Sequence, residues 1–148
     1  MQIINKLLYN KALKLATKAH KGQKRWNGDD YITHPIRVAN CFTDYRLKII
    51  AILHDVIEDT DMSLNELTEY FPEAITKVVM FLTNFKKCGE SYAMYIDSIR
   101  YNEDAIKIKI ADLKDNLRDL KKGQKRDKYE LALFYLTDDR RENESILL

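Results

Sequence analysis

Two histidines and two aspartates in this sequence are of the residue types that form a metal site. His34 lies in the segment YITHP, His54 and Asp55 are adjacent in AILHDVIEDT, and Asp112 lies in KIADLKDNL. Imidazole and carboxylate groups together suit a first-row divalent ion such as Mn, Fe, Ni or Zn. Four protein ligands would leave an octahedral ion two positions for water or a substrate oxygen, and metal-assisted hydrolysis needs such open positions.

Each of these motifs, taken alone, also has a simpler interpretation. His34, next to a proline, can be a structural residue at a helix start. His54 and its acidic neighbours can be the water-facing side of an amphipathic helix. Asp112 can form a salt bridge at the rim of a helix, since Lys109 and Lys114 are nearby. The segment LHDVIEDTD nevertheless gathers acids toward a helix C-terminus, where negative charge is unfavourable. A bound cation would remove that conflict.

Helices must position these residues, because the composition disfavours a strand-rich fold. The chain of 148 residues contains 4 glycines and 2 prolines, and proteins with many tight turns usually contain more. We predict an all-α fold, a single compact bundle of about seven or eight helices over residues 1–148. Residues 106–110 alternate like a strand, but Ile106, Ile110, Leu113, Leu117 and Leu120 follow helical spacing. This stripe should face the core, with Asp112 and Asn116 at its rim.

Capping and breaking residues predict where the helices begin and end. The first helix should end at His20, where a cationic imidazole would meet the negative end of the helix dipole. Five helices are predicted over residues 5–20, 46–58, 91–101, 102–120 and 127–136, and Asn102 caps the one over 102–120. Three more are predicted to begin at Pro35, at the capping box of Ser63 and at Pro72.

Charge and cysteine content exclude several classes of protein. Lys and Arg number 25 and Asp and Glu 23, giving a net charge of +2, which excludes a wholly basic nucleic-acid coat and an acidic tail protein. The basic run Lys121–Arg126 is interpreted as a solvated loop, so nucleic acid is disfavoured as a partner. No segment is long and apolar enough to predict a membrane span. Cys41 and Cys88 lack metal-type spacing and predict two reduced thiols in a cytoplasmic protein.

Three motifs in order and spacing resemble a known family. AHKGQKRWNGDDYITHPIRVA, AILHDVIEDT and KIADLKDNLRDL resemble the hydrolase domain of the RelA/SpoT alarmone enzymes, within the HD-domain metal phosphohydrolases. The small stand-alone alarmone hydrolases are the most similar type. The resemblance implies an all-helical fold, bound Mn²⁺, and removal of the 3′-pyrophosphate of (p)ppGpp to give GDP or GTP and pyrophosphate. It therefore implies a small-molecule nucleotide as partner.

The resemblance also implies roles for individual residues. It makes His34, His54, Asp55 and Asp112 the metal ligands. The pair Glu58 and Asp59 would position and activate the attacking water, Arg25 with Lys24 would pack on the guanine base, and Asn116 would contact the ribose. The sequence departs from the family at Leu113, where a basic residue is usual and where Lys114 follows instead. A chain of this length is expected to carry the hydrolase alone, without a synthetase domain.

Two other functions agree with parts of the same pattern. An HD phosphohydrolase acting on a deoxynucleotide, or on the 2′-phosphate of NADPH, would use the same metal ligands. A non-catalytic nucleotide-sensing module would not need the Glu58–Asp59 pair. Trp26, in the polar loop beside Arg25, is suited either to stack on a base or to cover the core.

Overall fold

The computed structural model describes residues 2–85, 89 and 91–146, with side chains described for 5–85, 89 and 91–138. These residues form eight helices of seven residues or more and one short helical turn, and they contain no β-strand beyond an isolated bridge between Lys24 and Asp30. The all-α prediction is therefore confirmed. The elements are α1 (Gln2–Ala19), α2 (Thr33–Asn40), α3 (Tyr45–Leu53), α4 (Val56–Asp59), α5 (Leu64–Tyr70), α6 (Glu73–Leu82), α7 (Tyr92–Ile99), α8 (Glu103–Asp119) and α9 (Gln124–Ile146).

Helix α3 lies at the centre of the core. All five residues from Ile49 to Leu53 are buried, as expected for a helix that is apolar on every side. It packs against α1, α2, α6 and α8. The residues that follow α3 and those on α2 and α8 are thereby brought together in the middle of the molecule.

The prediction of one continuous helix over residues 46–58 is wrong. Helix α3 ends at Leu53, His54 and Asp55 form a turn, and the single turn α4 begins at Val56. Asp55 has φ −101° and ψ −4°, near the sparsely occupied bridge region where many active-site residues lie. Consecutive side chains on a continuous helix diverge by about 100°. The turn allows His54 and Asp55 to approach the same point.

Helix α8 is confirmed, but the predicted burial of its faces is wrong. Asp112 and Asn116, expected at the rim, are only 3% and 9% exposed. Ile106, Ile110 and Leu117 are half-buried instead. The reason is that α8 packs against α2, α3, α6, α7 and α9, so its polar side is covered by other helices and its charged groups find partners there.

Several helix starts have the caps that the sequence indicates. Ser63 Oγ accepts from the backbone N–H of Glu66 at 3.2 Å, and the Glu66 carboxylate accepts from the N–H of Ser63 at 2.8 Å, which completes a capping box. Asn102 Oδ1 accepts from the N–H of Ala105 at 2.9 Å. This cap sets the start of α8 and hence the position of Asp112 along it.

Two other helix starts differ from the prediction. Helix α2 begins at Thr33, before Pro35, and Ile32 at its N-cap makes no side-chain capping bond. Helix α9 begins at Gln124 rather than at residue 127 and continues to Ile146. Arg126, in the first turn of α9, donates from its Nη1 to the carbonyls of Leu117 and Leu120 at 2.9 and 2.6 Å. These bonds tie the first turn of α9 to the end of α8.

Two further predictions concern surface properties. None of the helices in the described ranges is long and apolar enough to cross a membrane. Cys41 is an exposed free thiol, as predicted, whereas Cys88 lies outside the described residues.

Candidate metal centre and active site

Three buried side chains converge where α2, the turn after α3, and α8 meet. His34, His54 and Asp112 each offer a ligand atom within 4.8 Å of the other two. His34 Nε2 lies 3.0 Å from Asp112 Oδ1, and His54 Nε2 lies 3.5 Å from the same oxygen. Asp55 joins this group, because its Oδ2 lies 3.1 Å from His54 Nε2 and 3.6 Å from His34 Nε2. The structure thus brings all four predicted ligands together.

The orientation of His54 fits a metal ion. Its Nδ1 lies 2.6 Å from the carbonyl oxygen of Ala51, so Nδ1 carries a hydrogen. Its Nε2 is buried and has no hydrogen-bond partner among the described residues, although two carboxylates lie nearby. A buried, unpartnered imidazole nitrogen beside carboxylates is the donor set expected for a divalent ion. The residues therefore fit the predicted metal site.

The pKa values of the four groups show how strongly they interact. Burial lowers the pKa of both imidazoles, but the neighbouring carboxylates outweigh it and raise the pKa of His34 and, more strongly, of His54. Burial by itself would raise the pKa of Asp55 and Asp112, but adjacent cations hold both well below their usual range. Lys109 contributes, since its Nζ donates to Asp112 Oδ2 at 2.8 Å. Both carboxylates are thereby kept ionised, the state in which they bind a cation.

Glu58 and Asp59 lie on α4, directly after the His54–Asp55 turn. Glu58 Oε2 accepts from the backbone N–H of Asn84 at 3.2 Å, and burial raises the pKa of its carboxyl group. Asp59 is exposed and bonds to Tyr31, whose hydroxyl lies 3.0 Å from Asp59 Oδ2. The two acids thus differ in environment, one half-buried with a raised pKa and the other facing solvent.

Tyr31 is a site residue that the sequence reasoning missed. Its hydroxyl lies 2.7 Å from Asp55 Oδ2 as well as 3.0 Å from Asp59 Oδ2. One side chain therefore connects a candidate metal ligand with a candidate catalytic acid. The segment YITHP contained the signal, because Tyr31 lies three residues before His34, but a tyrosine in a polar loop has no distinctive spacing.

His20 supports this tyrosine from its place directly after α1, where burial disfavours the cation that the sequence predicts. Its ring stacks on Tyr31, with centroids 4.7 Å apart. Burial lowers the pKa of His20, so the ring is neutral near physiological pH. Its Nδ1 lies 2.8 Å from Gln23 Oε1, and Gln23 Nε2 donates to the carbonyl of Asp59 at 2.6 Å. This chain of bonds links the end of α1 to the end of α4.

Arg25 and Asn116 form the second part of the site. Arg25 is 5% exposed, and its Nη1 donates to Asn116 Oδ1 at 3.0 Å. Asn116 Nδ2 in turn donates to Asp112 Oδ1 at 2.7 Å. Nε and Nη2 of Arg25 are buried without a hydrogen-bond partner in the described part of the chain. A buried guanidinium with unsatisfied donors is a candidate anion-binding group.

Trp26 and Lys24 flank Arg25 differently. The Arg25 guanidinium lies 4.2 Å from the centroid of the Trp26 ring, which is 46% exposed, so Trp26 covers the arginine rather than the core. Lys24 points away to the surface, where its Nζ lies 2.6 Å from Asp30 Oδ1. The structure therefore does not place Lys24 beside Arg25 in the buried cluster.

Helix α9 adds aromatic and cationic groups that the sequence reasoning did not assign to the site. Lys125 Nζ lies 5.0 Å from the centroid of Trp26 and 5.9 Å from that of Tyr129. Tyr129 stacks on Tyr92, whose buried hydroxyl has no partner in the described residues, and burial raises the pKa of Tyr92 to about 12. Lys125 and Arg126 therefore have separate structural partners, and the Lys121–Arg126 run is not a uniformly solvated loop.

Asp115, on α8, is a further missed residue. Its Oδ2 lies 2.6 Å from Nδ1 of His34. Although burial opposes it, His34 and Arg37 hold the pKa of Asp115 well below its usual range. Leu113, at the position where the sequence departs from the family pattern, is fully buried in the core, and Lys114 is exposed.

Fold and cluster together define an all-helical protein with a candidate divalent metal centre, and comparison with known proteins agrees. The HD-domain family model matches residues 12–134. The chain belongs to the HD-domain family.

The chain is also similar in sequence to individual proteins. The chain is 37% identical over 130 residues to a GTP pyrophosphokinase rsh of Brucella melitensis, with 79% of this chain covered. It is 33% identical over 120 residues to a guanosine-3′,5′-bis(diphosphate) 3′-pyrophosphohydrolase of Aquifex aeolicus, with 74% covered. It is 32% identical over 119 residues to the bifunctional (p)ppGpp synthase/hydrolase SpoT of Escherichia coli, with 72% covered. The matched part is 17% of each of these three relatives.

A solved structure has a similar fold over nearly its whole length. It belongs to a metazoan ortholog of SpoT described as hydrolysing ppGpp, with a TM-score of 0.66 and 26% sequence identity. The match covers 90% of this chain and 95% of that one. The predicted membership of the HD-domain family is confirmed, and the relatives named as ppGpp hydrolases agree with the predicted class of enzyme.

Proposed function

We propose that this chain is a Mn²⁺-dependent (p)ppGpp 3′-pyrophosphohydrolase that works as one HD-type hydrolase domain over residues 1–148. Its substrate would be a small nucleotide, and its place of action the cytoplasm. One observation carries the proposal: four candidate ligands converge, and two acids, Glu58 and Asp59, lie on the helical turn that follows the His54–Asp55 pair. The relatives named as ppGpp hydrolases support the choice of substrate.

We propose His34, His54, Asp55 and Asp112 as the ligands of the divalent ion. When bound, the ion supplies Lewis-acid stabilisation of phosphate and activates water for attack. Its charge also matters for substrate binding, because the carboxylates of Asp55, Asp112 and their neighbours would otherwise repel a polyphosphate. Mn²⁺ suits a site with two carboxylates and two imidazoles, and another first-row divalent ion can occupy the same ligands.

Glu58 and Asp59 are proposed to orient the attacking water and accept its proton. A general base works best when its pKa is close to the working pH. Burial moves the pKa of Glu58 in that direction. Asp59 is held in place from two sides, through its side chain by Tyr31 and through its carbonyl by Gln23.

Arg25 and Asn116 are proposed to bind the nucleotide. The planar guanidinium of Arg25 can stack on a base and donate to oxygen acceptors at the same time. Trp26 covers one of its faces, and the N–H groups of its two unpartnered nitrogens, Nε and Nη2, remain for the substrate. Asn116 bonds to both Arg25 and Asp112, so it would couple the position of the nucleotide to that of the metal. Lys24, at the surface, is proposed to add positive charge at the entrance.

The test is metal analysis of the purified protein together with hydrolysis assays. The protein is stripped with chelator, reconstituted with Mn²⁺ or another divalent ion, and incubated with ppGpp, pppGpp, a deoxynucleoside triphosphate or NADPH. Chromatography identifies the nucleotide product, and separate assays measure pyrophosphate and orthophosphate. We expect GDP or GTP with an equal amount of pyrophosphate, and no turnover without the metal.

Each alternative has its own signature in this assay. Orthophosphate released from NADPH, or turnover of deoxynucleotides in preference to ppGpp, would replace the proposed substrate and keep the HD chemistry. Nucleotide binding without turnover in the Mn²⁺-loaded protein would favour a sensing module. Full hydrolysis in excess EDTA after removal of tightly bound metal would contradict the role of the metal.

A further inference from the structure

The two ring nitrogens of His34 have different partners. Nε2 faces the candidate metal centre, 3.0 Å from Asp112 Oδ1 and 3.6 Å from Asp55 Oδ2. Nδ1 faces the other way and lies 2.6 Å from Asp115 Oδ2. The ring is 1% exposed, so water cannot replace either partner without rearrangement of the surrounding helices.

Asp115 is itself held by Arg37. Arg37 Nε donates to Asp115 Oδ1 at 2.7 Å, and Nη2 donates to Oδ2 at 3.0 Å. Two parallel charge-assisted bonds of this kind fix a carboxylate in both position and plane. Because Arg37 lies one helical turn after His34 on α2, both residues approach Asp115 on α8 from the same side.

The combined arrangement determines which nitrogen of His34 can bind a metal. A carboxylate accepts hydrogen bonds and cannot donate them when ionised, so Asp115 requires a hydrogen on Nδ1. The lone pair of the neutral ring then lies on Nε2, toward the centre. His54 reaches the same tautomer through a neutral acceptor, the carbonyl of Ala51. Of these two histidines, only His34 has a charged acceptor, Asp115, for its Nδ1 hydrogen.

We propose that Asp115, clamped by Arg37, is a positioning residue that orients His34 as an Nε2 ligand and increases the affinity of the site for a divalent metal ion. The inference rests on the proposed metal site and assigns no catalytic step to either residue. A carboxylate that accepts from the second nitrogen of a ligand histidine fixes its tautomer and orientation and makes the ring a stronger donor.

The test measures Mn²⁺ affinity rather than turnover. Wild type is compared with Asp115→Asn, which keeps the shape and removes the charge, and with Arg37→Gln, which leaves the carboxylate but removes the clamp. Asp119→Asn is the matched control, because Asp119 lies one turn further on α8 and pairs with Arg118. Electron paramagnetic resonance of free Mn²⁺ gives each dissociation constant, and circular dichroism verifies folding.

We expect Asp115→Asn to weaken Mn²⁺ binding about 10- to 100-fold, Arg37→Gln to weaken it by a smaller factor, and Asp119→Asn to leave it unchanged. A second readout is the Nδ1 proton of His34 in Zn²⁺-loaded protein labelled with ¹⁵N-histidine. A hydrogen bond to a carboxylate shifts this proton downfield. The shift should decrease in Asp115→Asn, whereas the signal of His54 should stay in place.

The outcomes separate this inference from the proposed function. If wild type binds no divalent ion at its four ligands, the proposed metal site fails. If wild type binds Mn²⁺ and both Asp115→Asn and Arg37→Gln bind it equally tightly, the metal site stands and the positioning role is overturned. If Asp115→Asn does not fold, the affinity and His34 signal of Arg37→Gln decide.

Discussion

The hydroxyl of Tyr31 lies 2.7 Å from Oδ2 of Asp55. The same hydroxyl lies 3.0 Å from Asp59 Oδ2, so a single donor hydrogen is shared between two carboxylates. One of these acids is a proposed metal ligand and the other a proposed water-orienting group. Stacking on His20 fixes the ring from behind. The distance between the two acids therefore depends on a residue that is neither ligand nor base.

Tyr31→Phe tests this connection. Removal of the hydroxyl leaves Asp55 and Asp59 without their common donor, and a hydrogen bond to a charged group contributes about 1.5–3 kcal/mol. We expect kcat to fall about 10- to 100-fold if that energy serves the orientation of the two acids. Steady-state kinetics with Mn²⁺ at saturation measures the effect. Tyr101→Phe, at a tyrosine that is 82% exposed, is the control and should match wild type.

Replacement of both acids separates catalysis from metal binding. In Glu58→Ala combined with Asp59→Ala, the four proposed ligands remain, so Mn²⁺ affinity should stay close to that of wild type. Loss of a general base typically lowers the rate about 10²- to 10⁴-fold, and we expect a fall of that size. Single-turnover assays and metal titration on the same preparation measure both quantities. A kcat equal to that of wild type would exclude the water-orienting role.

Glu58→Gln should stabilise the protein at neutral pH. Burial raises the pKa of Glu58 above its usual value of 4.5, so the folded state holds the proton more tightly than the unfolded chain. This group therefore lowers stability as pH rises from 4.5 through the folded-state pKa. Glutamine carries no charge and can still accept from Asn84 N–H. The melting temperature of the metal-free variant should exceed that of wild type near neutral pH, without an advantage below pH 4.5.

The control for this prediction is Glu66→Gln, for which the expected change in melting temperature is opposite. Hydrogen bonds from Ser63 lower the pKa of Glu66 in the capping box, so its ionised form stabilises the folded state above the usual pKa of the group. Glu66→Gln should therefore lower the melting temperature slightly near neutral pH. An equal or lower melting temperature for Glu58→Gln than for wild type would contradict the argument from burial.

Arg25→Lys tests the proposed nucleotide contact. Lysine keeps the charge but loses the planar group that stacks on Trp26 and donates to Asn116. We expect KM to rise about 10- to 100-fold, from the loss of about 1.5–3 kcal/mol of charged hydrogen bonding, with Mn²⁺ affinity unchanged. Arg100→Lys, at a surface arginine bonded to Asp97 and Tyr135, should have no effect on KM. An unchanged KM in Arg25→Lys would remove Arg25 from the substrate site.

Residue types and spacing alone were sufficient to predict the class of fold and to select four side chains that the structure brings together as candidate metal ligands. Local helix signals separate the three segments that contain His34, the His54–Asp55 pair and Asp112. Caps such as Ser63 and Asn102 act within three residues. Helical periodicity and capping depend on neighbours in the sequence, so a sequence pattern can predict them. The scarcity of glycine and proline also indicated helices, because strand-rich proteins with many tight turns usually contain more of both.

Contacts between distant segments determined the features of the site that the sequence did not predict. Asp115 bonds to His34 across 81 positions of sequence, and Arg25 bonds to Asn116 across 91. The packing of other helices on α8 buried Asp112 and Asn116, which local periodicity had placed at a rim. The turn at His54–Asp55 interrupts a pattern that reads as one helix. Local patterns determine which residues are available for chemistry, but packing determines which polar side chains lose water and must find partners.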